Sequence, residues 1–284
     1  ADEEVLRLYT SRFEGLSDQG ALVTLKADEE MKTLLACEQI WEQCRLHNIS
    51  RQGVGLVIGG GLVLDVGAMA CALWRRGVPF IFVPTTLLAQ VDACLGGKTA
   101  VNFHHAKNQI GAFASAAAIH IDVSFLETLS QRQLRSGLAE VAKHGLIAAP
   151  ELWRETLAVS QLDVTPDQWR ALVSAALEVK SAIVAHDPYE HAVRKILNFG
   201  HTIGHALESY YMDSQTPLLH GEAVAAGMAA EAHIAVKHAG LPPETALQIH
   251  QGLEAMGFQL KWAAKFEQLM PFMLQDKKNT QSLI

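Results

Sequence analysis

An uninterrupted apolar run, Val54–Ile58, is followed directly by three glycines and then by a helical pattern. Runs of this kind are typical of parallel strands that are covered on both faces. A strand, a glycine turn and a helix bring backbone N–H groups and a helix N-terminus close to a phosphate. Gly59, Gly60 and Gly61 do not complete the GxGxxG fingerprint, so a simple strand-to-helix turn is an equal alternative. The run therefore predicts an α/β sheet with a candidate phosphate site after this strand.

A change in glycine content and in the periodicity of apolar residues near Leu126 indicates two domains. Before that residue, two further strands are predicted at Pro79–Val83 and Ala118–Val123, and glycines are frequent. After it, long helical patterns dominate, which favours a separate helical domain. We therefore predict an N-terminal α/β domain over residues 1–125 and an all-helical domain over residues 126–284, and we expect both termini to be incomplete.

Composition and net charge limit the kinds of molecule that the protein is expected to bind. The chain has 284 residues, of which 49% are hydrophobic and 19% charged, as is ordinary for a soluble enzyme. Its net charge of -7 argues against nucleic acid as a partner, and no apolar run is long enough to predict a membrane span. The four cysteines show no CxxC spacing, so we predict a cytoplasmic protein without structural disulfides.

A compact cationic segment follows the second predicted strand. It combines Lys98, which two glycines precede, with Lys107 and Asn108. The Gly-Lys-Thr part is not a Walker A motif, because the position that needs its first glycine is occupied by Asp92. Two lysines and an amide in this setting suit a phosphate ester or a carboxylate, while solvated surface lysines are the simpler alternative.

Four polar side chains with helical spacing mark the second half of the chain. Arg194, Asn198, His201 and His205 are four, three and four residues apart, which predicts that they share one face of a helix. The HxxxH pair lacks the glutamate that a zinc protease needs directly after its first histidine. His220 begins another apolar helical run. Histidines from two helices and a distant carboxylate could hold a divalent metal with one position open for substrate, although a lone HxxxH is more often chance.

Charged residues also interrupt otherwise apolar helices. Glu140 and Lys143 are three residues apart on a predicted helix of small and apolar residues, and Lys180 lies in a second such helix. Charges buried on apolar faces are costly without partners. These residues therefore belong either to structural salt bridges or to a binding site.

In their order and spacing, these motifs resemble the dehydroquinate synthases, which belong to the sugar phosphate cyclases. The resemblance covers residues 29–278 and rests on Gly59-Gly60-Gly61-x3-Asp65, Pro84-Thr85-Thr86, Gly96-Gly97-Lys98-Thr99, Glu140-x2-Lys143 and Asn198-Phe199-Gly200-His201-x3-His205. It implies an NAD-binding domain with a Rossmann-like parallel sheet, followed by a helical domain that binds metal and substrate. It also implies a cytoplasmic homodimer on the shikimate route to chorismate and the aromatic amino acids.

The resemblance further implies a role for each matching residue. The metal, zinc or cobalt, would be held by Glu140, His201 and His220. NAD would contact Glu29, Lys32, Gly59, Gly60, Gly61, Asp65, Thr85, Thr86, Lys107 and Thr128. The catalytic residues would be Asp92, Lys143, Lys180 and His205. The substrate would contact Lys98, Asn108, Arg194, Asn198 and Lys277 or Lys278, and Arg76 would reach the site of the partner subunit.

The reaction that the resemblance implies converts 3-deoxy-arabino-heptulosonate 7-phosphate to 3-dehydroquinate and phosphate. A secondary alcohol would be oxidised transiently by NAD, phosphate would leave by β-elimination, and re-reduction would precede an aldol closure of the ring. The enzyme would thus be a carbon–oxygen lyase that regenerates its NAD in every turnover.

Three alternatives stay open. They are a sibling cyclase of the 2-deoxy-scyllo-inosose or 2-epi-5-epi-valiolone synthase type, a metal-dependent glycerol or alcohol dehydrogenase, and a non-catalytic protein that binds a sugar phosphate. The segment 65–70 resembles the valiolone-type cyclases, and no acidic residue matches the expected contact with the adenosine ribose. Lys180 and Arg194 favour a carboxylated substrate, because a guanidinium can donate two parallel hydrogen bonds to a carboxylate.

Overall fold

The computed structural model describes residues 1–15, 20–104 and 106–275. The chain divides into two compact units, Ala1–Thr128 and Leu129–Ile284. The first unit contains the parallel sheet, and the second is built from helices. The α/β class predicted for the first half and the helical class predicted for the second are both confirmed.

The sheet of the first unit consists of β1 (Gly55–Gly59), β2 (Phe80–Pro84) and β5 (Ala118–Ile119) in the order β1-β2-β5. Both pairings are parallel, and α3 (Gly61–Leu73) connects β1 to β2. The apolar side chains of β1 and β2 are largely buried, as a sheet covered by helices requires. This arrangement places the three glycines between the end of β1 and the start of α3.

The predicted helix from Glu29 to Arg45 is wrong in its first turn. Residues Glu29–Met31 form a short 3-10 helix, and α2 (Leu34–Leu46) begins only after Thr33. Thr33 has extended backbone angles, and its hydroxyl accepts a hydrogen bond from the N–H of Ala36 at 3.4 Å. A threonine in this N-cap position starts a new helix, so it interrupts the periodic apolar pattern.

An antiparallel hairpin in the first unit was not predicted from the sequence. It pairs β3 (Lys98–Phe103) with β4 (Ala106–Phe113), and its register is irregular between Val101 and Phe103. A single π-helical turn, Ala89–Ala93, precedes the hairpin. Both π-helical turns and register irregularities are frequent next to functional sites. A short helix, α1 (Glu3–Leu8), also belongs to this unit.

The second unit contains seven α-helices in the described part of the chain. They are α4 (Gln131–Ala148), α5 (Pro150–Ala158), α6 (Pro166–His186), α7 (His201–Tyr210), α8 (His220–His238), α9 (Pro243–Ala255) and α10 (Phe266–Gln275). A 3-10 helix, Val193–Asn198, precedes α7 and packs against α4 and α6. Among the helices of the described ranges, none combines the length and apolar character that a membrane crossing requires.

Helices α7 and α8 touch backbone to backbone. A Cβ built on Gly227 of α8 would lie 1.9 Å from the carbonyl oxygen of Gly200 and 2.9 Å from the N–H nitrogen of Gly204. Real Cβ atoms do not approach backbone atoms so closely, and neither neighbour is a flexible side chain that could move aside. Glycine at position 227 is therefore required for the close packing of α7 against α8.

We predict that Gly227→Ala destabilises the protein by about 3 kcal/mol, because the added methyl group forces α7 and α8 apart. The free energy of unfolding is to be measured by urea denaturation. Gly20→Ala is the matched control, since a Cβ at Gly20 would meet nothing within 4 Å, and we expect its effect to stay within about 0.5 kcal/mol. Equal stabilities of the two variants would contradict the packing described here.

Candidate functional site

In the helical unit, imidazole rings converge on one buried carboxylate. The Nε2 atom of His201 lies 3.6 Å from Oε1 of Glu140, and the Nε2 atom of His220 lies 3.3 Å from the same oxygen. Nitrogen atoms of His201, His205 and His220 all lie within 4.8 Å of one another. In a tetrahedral site with metal–ligand bonds of 2.0–2.1 Å, neighbouring ligand atoms are about 3.4 Å apart. The spacing of these donors therefore fits a divalent transition metal.

Glu140 has a cationic partner on the helix that carries it. It is completely buried on α4, and its Oε2 forms an ion pair with the ammonium group of Lys143 one turn later. A charge removed from water is tolerated when a partner and hydrogen bonds replace the solvent. Each of these two charges is therefore the partner of the other, as the sequence required of charges on an apolar helix. The other oxygen of Glu140, Oε1, faces the imidazoles.

The predicted single helical face from Arg194 to His205 is wrong. Arg194 and Asn198 lie in the 3-10 helix, whereas His201 is the first residue of α7. Gly200 separates the two elements with a φ of 80°, a left-handed conformation that cannot occur inside a right-handed helix. Only His201 and His205 keep the predicted helical spacing.

A carboxylate from α8 caps the start of α7. Glu231 accepts hydrogen bonds from the N–H of Gly200 at 2.7 Å and from the N–H of Ile203 at 3.4 Å. The first N–H groups of a helix lack partners within it, and negative charge is favourable there. Glu231 was not predicted from the sequence, because the N–H groups that it accepts from belong to the start of a different helix.

The start of α8 is fixed by residues of α4. Arg132 donates two hydrogen bonds to the carboxylate of Glu222, each at 2.7 Å, and a third to the carbonyl of Pro217 at 2.7 Å. The hydroxyl of Ser136 accepts a hydrogen bond from the N–H of Gly221 at 3.0 Å. Since His220 is the first residue of α8, these contacts hold its ring near Glu140. The sequence analysis did not find Arg132 or Ser136.

The surroundings shift the pKa values of the two imidazoles in opposite directions. Burial lowers the pKa of His201 well below its usual value, and the nearby charge of Lys143 lowers it further. For His220, burial opposes protonation, but hydrogen bonds with Glu140 and Glu208 outweigh it and raise the pKa to about 10. A metal that binds His220 must therefore displace a proton, so metal affinity falls as the pH is lowered.

The predicted cationic residues of this unit are buried. Arg194 is 2% exposed and Lys180 on α6 is 5% exposed. The guanidinium of Arg194 donates to the carbonyl of Pro188, and the amide of Asn198 donates to the carboxylate of Glu190 at 3.1 Å. The sequence analysis missed Glu190, whose φ of 60° is unusual for a residue other than glycine. No sequence motif pointed to it.

In the first unit, a network of polar side chains connects five of the predicted residues. The ammonium of Lys32 donates to Asp65 at 2.6 Å and to the amide oxygen of Asn108 at 2.5 Å. Lys107 lies 3.7 Å from the carboxylate of Glu29. These five predicted cofactor and substrate residues are therefore neighbours within this unit.

Asn102, which the sequence analysis missed, joins the two halves of this network. Its amide nitrogen donates to Glu29 at 2.7 Å, and its amide oxygen accepts from the backbone N–H of Asn108 at 2.9 Å. Asn102 lies at the register irregularity of the hairpin. Because such irregularities redirect side chains, the bulge accounts for these contacts.

The glycine turn has the features of an anion site. Gly60 caps α3 without a side-chain hydrogen bond, so it leaves the helix N-terminus to other partners. Nearby, the N–H of Thr85 donates to the carbonyl of Gly59 at 3.0 Å. The Oγ1 atom of Thr85 is buried and has no hydrogen-bond partner among the residues that the structure describes.

Further predicted residues of the first unit lie on other elements. Asp92 lies in the π-helical turn, Lys98 is exposed at the start of β3, and Arg76 is exposed with a φ of 67°. Thr128 shares a hydrogen bond of 3.0 Å with the hydroxyl of Tyr9. Lys277 and Lys278 lie outside the described residues.

Two family models match consecutive parts of the chain. The 3-dehydroquinate synthase N-terminal domain matches residues 22–136, and the 3-dehydroquinate synthase C-terminal domain matches residues 137–279. A 3-dehydroquinate synthase of Parabacteroides distasonis is 37% identical over 267 residues, which are 93% of this chain and 75% of that protein.

Sibling cyclases are also similar to the chain. A 2-epi-valiolone synthase of Actinosynnema mirum is 39% identical over 262 residues, which are 90% of this chain and 68% of that protein. A similar solved structure is that of a 2-epi-5-epi-valiolone synthase from Streptomyces hygroscopicus subsp. jinggangensis, which has NAD+ and Zn2+ bound. Its TM-score with this chain is 0.88 and its sequence identity is 27%. The match covers 97% of this chain and 78% of that one. Together with the two domain matches, these similarities show that the chain belongs to the 3-dehydroquinate synthase family.

Proposed function

We propose that this protein is a 3-dehydroquinate synthase, which forms 3-dehydroquinate and phosphate from 3-deoxy-arabino-heptulosonate 7-phosphate. The observation that carries the proposal is the group formed by buried Glu140, Lys143 and His201 with half-buried His220, in a chain that belongs to this family. The reaction is a step of the shikimate pathway and involves no net redox change.

The donor set of the helical unit fits a divalent metal. Glu140, His201 and His220 supply one carboxylate oxygen and two imidazole nitrogens at separations of 3.3 and 3.6 Å from that oxygen. Three protein ligands leave a fourth position open for substrate. His205 is close to both histidines, and we assign it to the substrate and to proton transfer. Zn2+ is present in the Streptomyces relative, and Co2+ suits the same donors.

The first unit fits NAD. The uncapped N-terminus of α3 and the buried Oγ1 of Thr85 suit the pyrophosphate of a dinucleotide. Glu29, Lys32 and Asp65 form the polar network next to this turn. The bound NAD and metal supply reversible hydride removal and Lewis-acid polarisation of the substrate.

The residues of the chain bind, orient and neutralise the substrate. Lys98 and Asn108 bind the phosphate and stabilise the charge that grows on it as the C–O bond breaks. Lys143 keeps a positive charge beside Glu140, where a substrate oxygen gains negative charge. Asp92 and Lys180 complete the set of groups that orient the substrate hydroxyls.

Arg194 and Lys180 determine the class of substrate. Both side chains are buried, at 2% and 5% exposure, so two cationic groups lie inside the helical unit. The heptulosonate carries a carboxylate, whereas the sugar phosphates of the sibling cyclases do not. A planar guanidinium can bind this carboxylate with two parallel hydrogen bonds.

We also infer a cytoplasmic homodimer from the family resemblance. Arg75, Arg76 and Gly77 all have positive φ angles, and this turn presents Arg76 to solvent. Strained turns of this kind persist when they hold a functional side chain in place. In the dimer, Arg76 reaches the phosphate site of the partner subunit.

The first expected outcome is release of phosphate from 3-deoxy-arabino-heptulosonate 7-phosphate without accumulation of NADH. Because the reaction has no net redox change, phosphate increases linearly while the absorbance of NADH stays constant. Omission of NAD is the control and should abolish phosphate release. Stoichiometric NADH formation would favour a dehydrogenase instead, and equal turnover of a neutral heptulose phosphate would favour a sibling cyclase.

A second prediction concerns the metal. His220→Ala removes one of three ligands, so we expect the purified protein to contain less than about one tenth of the metal of the wild type after dialysis. Metal content is to be measured by elemental analysis. His250→Ala, which changes a histidine of α9 outside the cluster, is the control. Unchanged metal content in His220→Ala would contradict the assignment.

A third prediction tests the carboxylate partner. Arg194→Leu should raise KM for the heptulosonate about 100-fold, which corresponds to about 3 kcal/mol for a lost charged pair. Arg194→Lys keeps the charge without the two-pronged geometry, and we expect a smaller rise in KM. Circular dichroism of both variants checks that the fold is kept. Full heptulosonate turnover by folded Arg194→Leu would contradict the assignment.

A further inference from the structure

Both ring nitrogens of His220 face carboxylates. The Nε2 atom lies 3.3 Å from Oε1 of Glu140, and the Nδ1 atom lies 3.2 Å from Oε2 of Glu208. An ionised carboxylate can only accept hydrogen bonds, so the contact with Glu208 requires a proton on Nδ1. The ring therefore has a defined orientation, with Nε2 directed towards Glu140.

Glu208 reaches this position because of its place on α7. It follows His201 by seven residues and His205 by three, so all three side chains lie on the same face of the helix. The side chain of Glu208 is only 14% exposed, and that of His220 is 27% exposed. Helix α7 thus presents two imidazoles and a carboxylate to the first residue of α8.

We propose that Glu208 is a positioning residue of the metal centre: its carboxylate accepts a hydrogen bond from Nδ1 of His220, so the ring keeps its Nδ1 proton and gives up the proton of Nε2 when the metal binds. The inference rests on the proposed metal site of Glu140, His201 and His220. A neutral imidazole carries a proton on one nitrogen only, and the hydrogen bond made by that nitrogen decides which one binds metal. Partners of this kind also raise the basicity of the ligand.

Direct ligation by Glu208 is the competing explanation. Its carboxylate contacts Nδ1, which is the nitrogen on the opposite side of the ring from the Nε2 that faces Glu140. For Glu208 to join the ligand set, the ring of His220 would have to turn away from its present contacts. The two explanations differ in the number of ligands that the metal loses when Glu208 is replaced.

The test is a titration of metal-free protein with Co2+, followed by its visible absorption and by competition with a chelator. Glu208→Ala leaves Nδ1 without this acceptor, and we expect the Kd for Co2+ to rise 10- to 100-fold. Glu208→Gln retains an oxygen that can accept from Nδ1, so its Kd should rise less than that of Glu208→Ala. The absorption spectrum of the saturated variants should keep the intensity of the wild type, because the ligand number is unchanged.

Glu254→Ala is the matched control. Glu254 forms a more exposed pair of a carboxylate and an imidazole, with the Nε2 of His250 at 3.4 Å, on α9 and outside the cluster. Its removal should leave the Kd for Co2+ unchanged. Thermal unfolding of the metal-free variants is measured in parallel, and Glu208→Gln, which is nearly isosteric, provides the comparison if Glu208→Ala is poorly folded.

The outcomes separate this inference from the proposed function. Unchanged Co2+ binding by His220→Ala would overturn the metal site itself. Loss of Co2+ by His220→Ala, together with wild-type Kd values for folded Glu208→Ala and Glu208→Gln, would overturn only the role of Glu208. Equal loss of affinity in both Glu208 variants with a changed absorption intensity would overturn the positioning role in favour of direct ligation.

Discussion

The backbone contact between α7 and α8 is the constraint on which the histidine cluster depends. His201 and His205 extend from α7, and His220 is the first residue of α8, so the distance between the two helices sets the distances between the rings. Gly227 permits the contact, because any Cβ there would meet the carbonyl of Gly200. The left-handed conformation of Gly200 starts α7 at the point where this contact occurs.

Carboxylates organise this cluster as much as the histidines do. Glu231 on α8 caps the helix that carries His201, and Glu222 joins the start of α8 to Arg132. Glu208 contacts the ring of His220, and Glu140 receives the imidazoles. Buried or half-buried carboxylates persist only where N–H groups or cations replace water, so each of them also fixes the element that provides its partner. These contacts connect α4, α7 and α8 through the side chains around the cluster.

The sequence predicted those features that depend on short segments. The strand predicted at Val54–Ile58 is found one residue later, and the helical class of the second half is confirmed. The prediction of one continuous helical face from Arg194 to His205 is wrong, because residue spacing implies proximity only within an unbroken helix. The supporting acids could not be predicted, since Glu231 gains its role from a partner on a different helix. Tertiary contacts of this kind leave no periodic signal in one sequence.

Glu140 divides its two oxygens between two kinds of partner. Its Oε2 pairs with the ammonium of Lys143 on the same helix, while Oε1 faces the Nε2 atoms of His201 and His220. A carboxylate at this depth without a cation would take up a proton and lose its capacity to bind metal. Because Lys143 is one turn away on α4, Glu140 has a cationic partner on its own helix. The anionic donor is therefore built into one helix, and the hydrogen bond between Ser136 and Gly221 brings the imidazole of α8 to it.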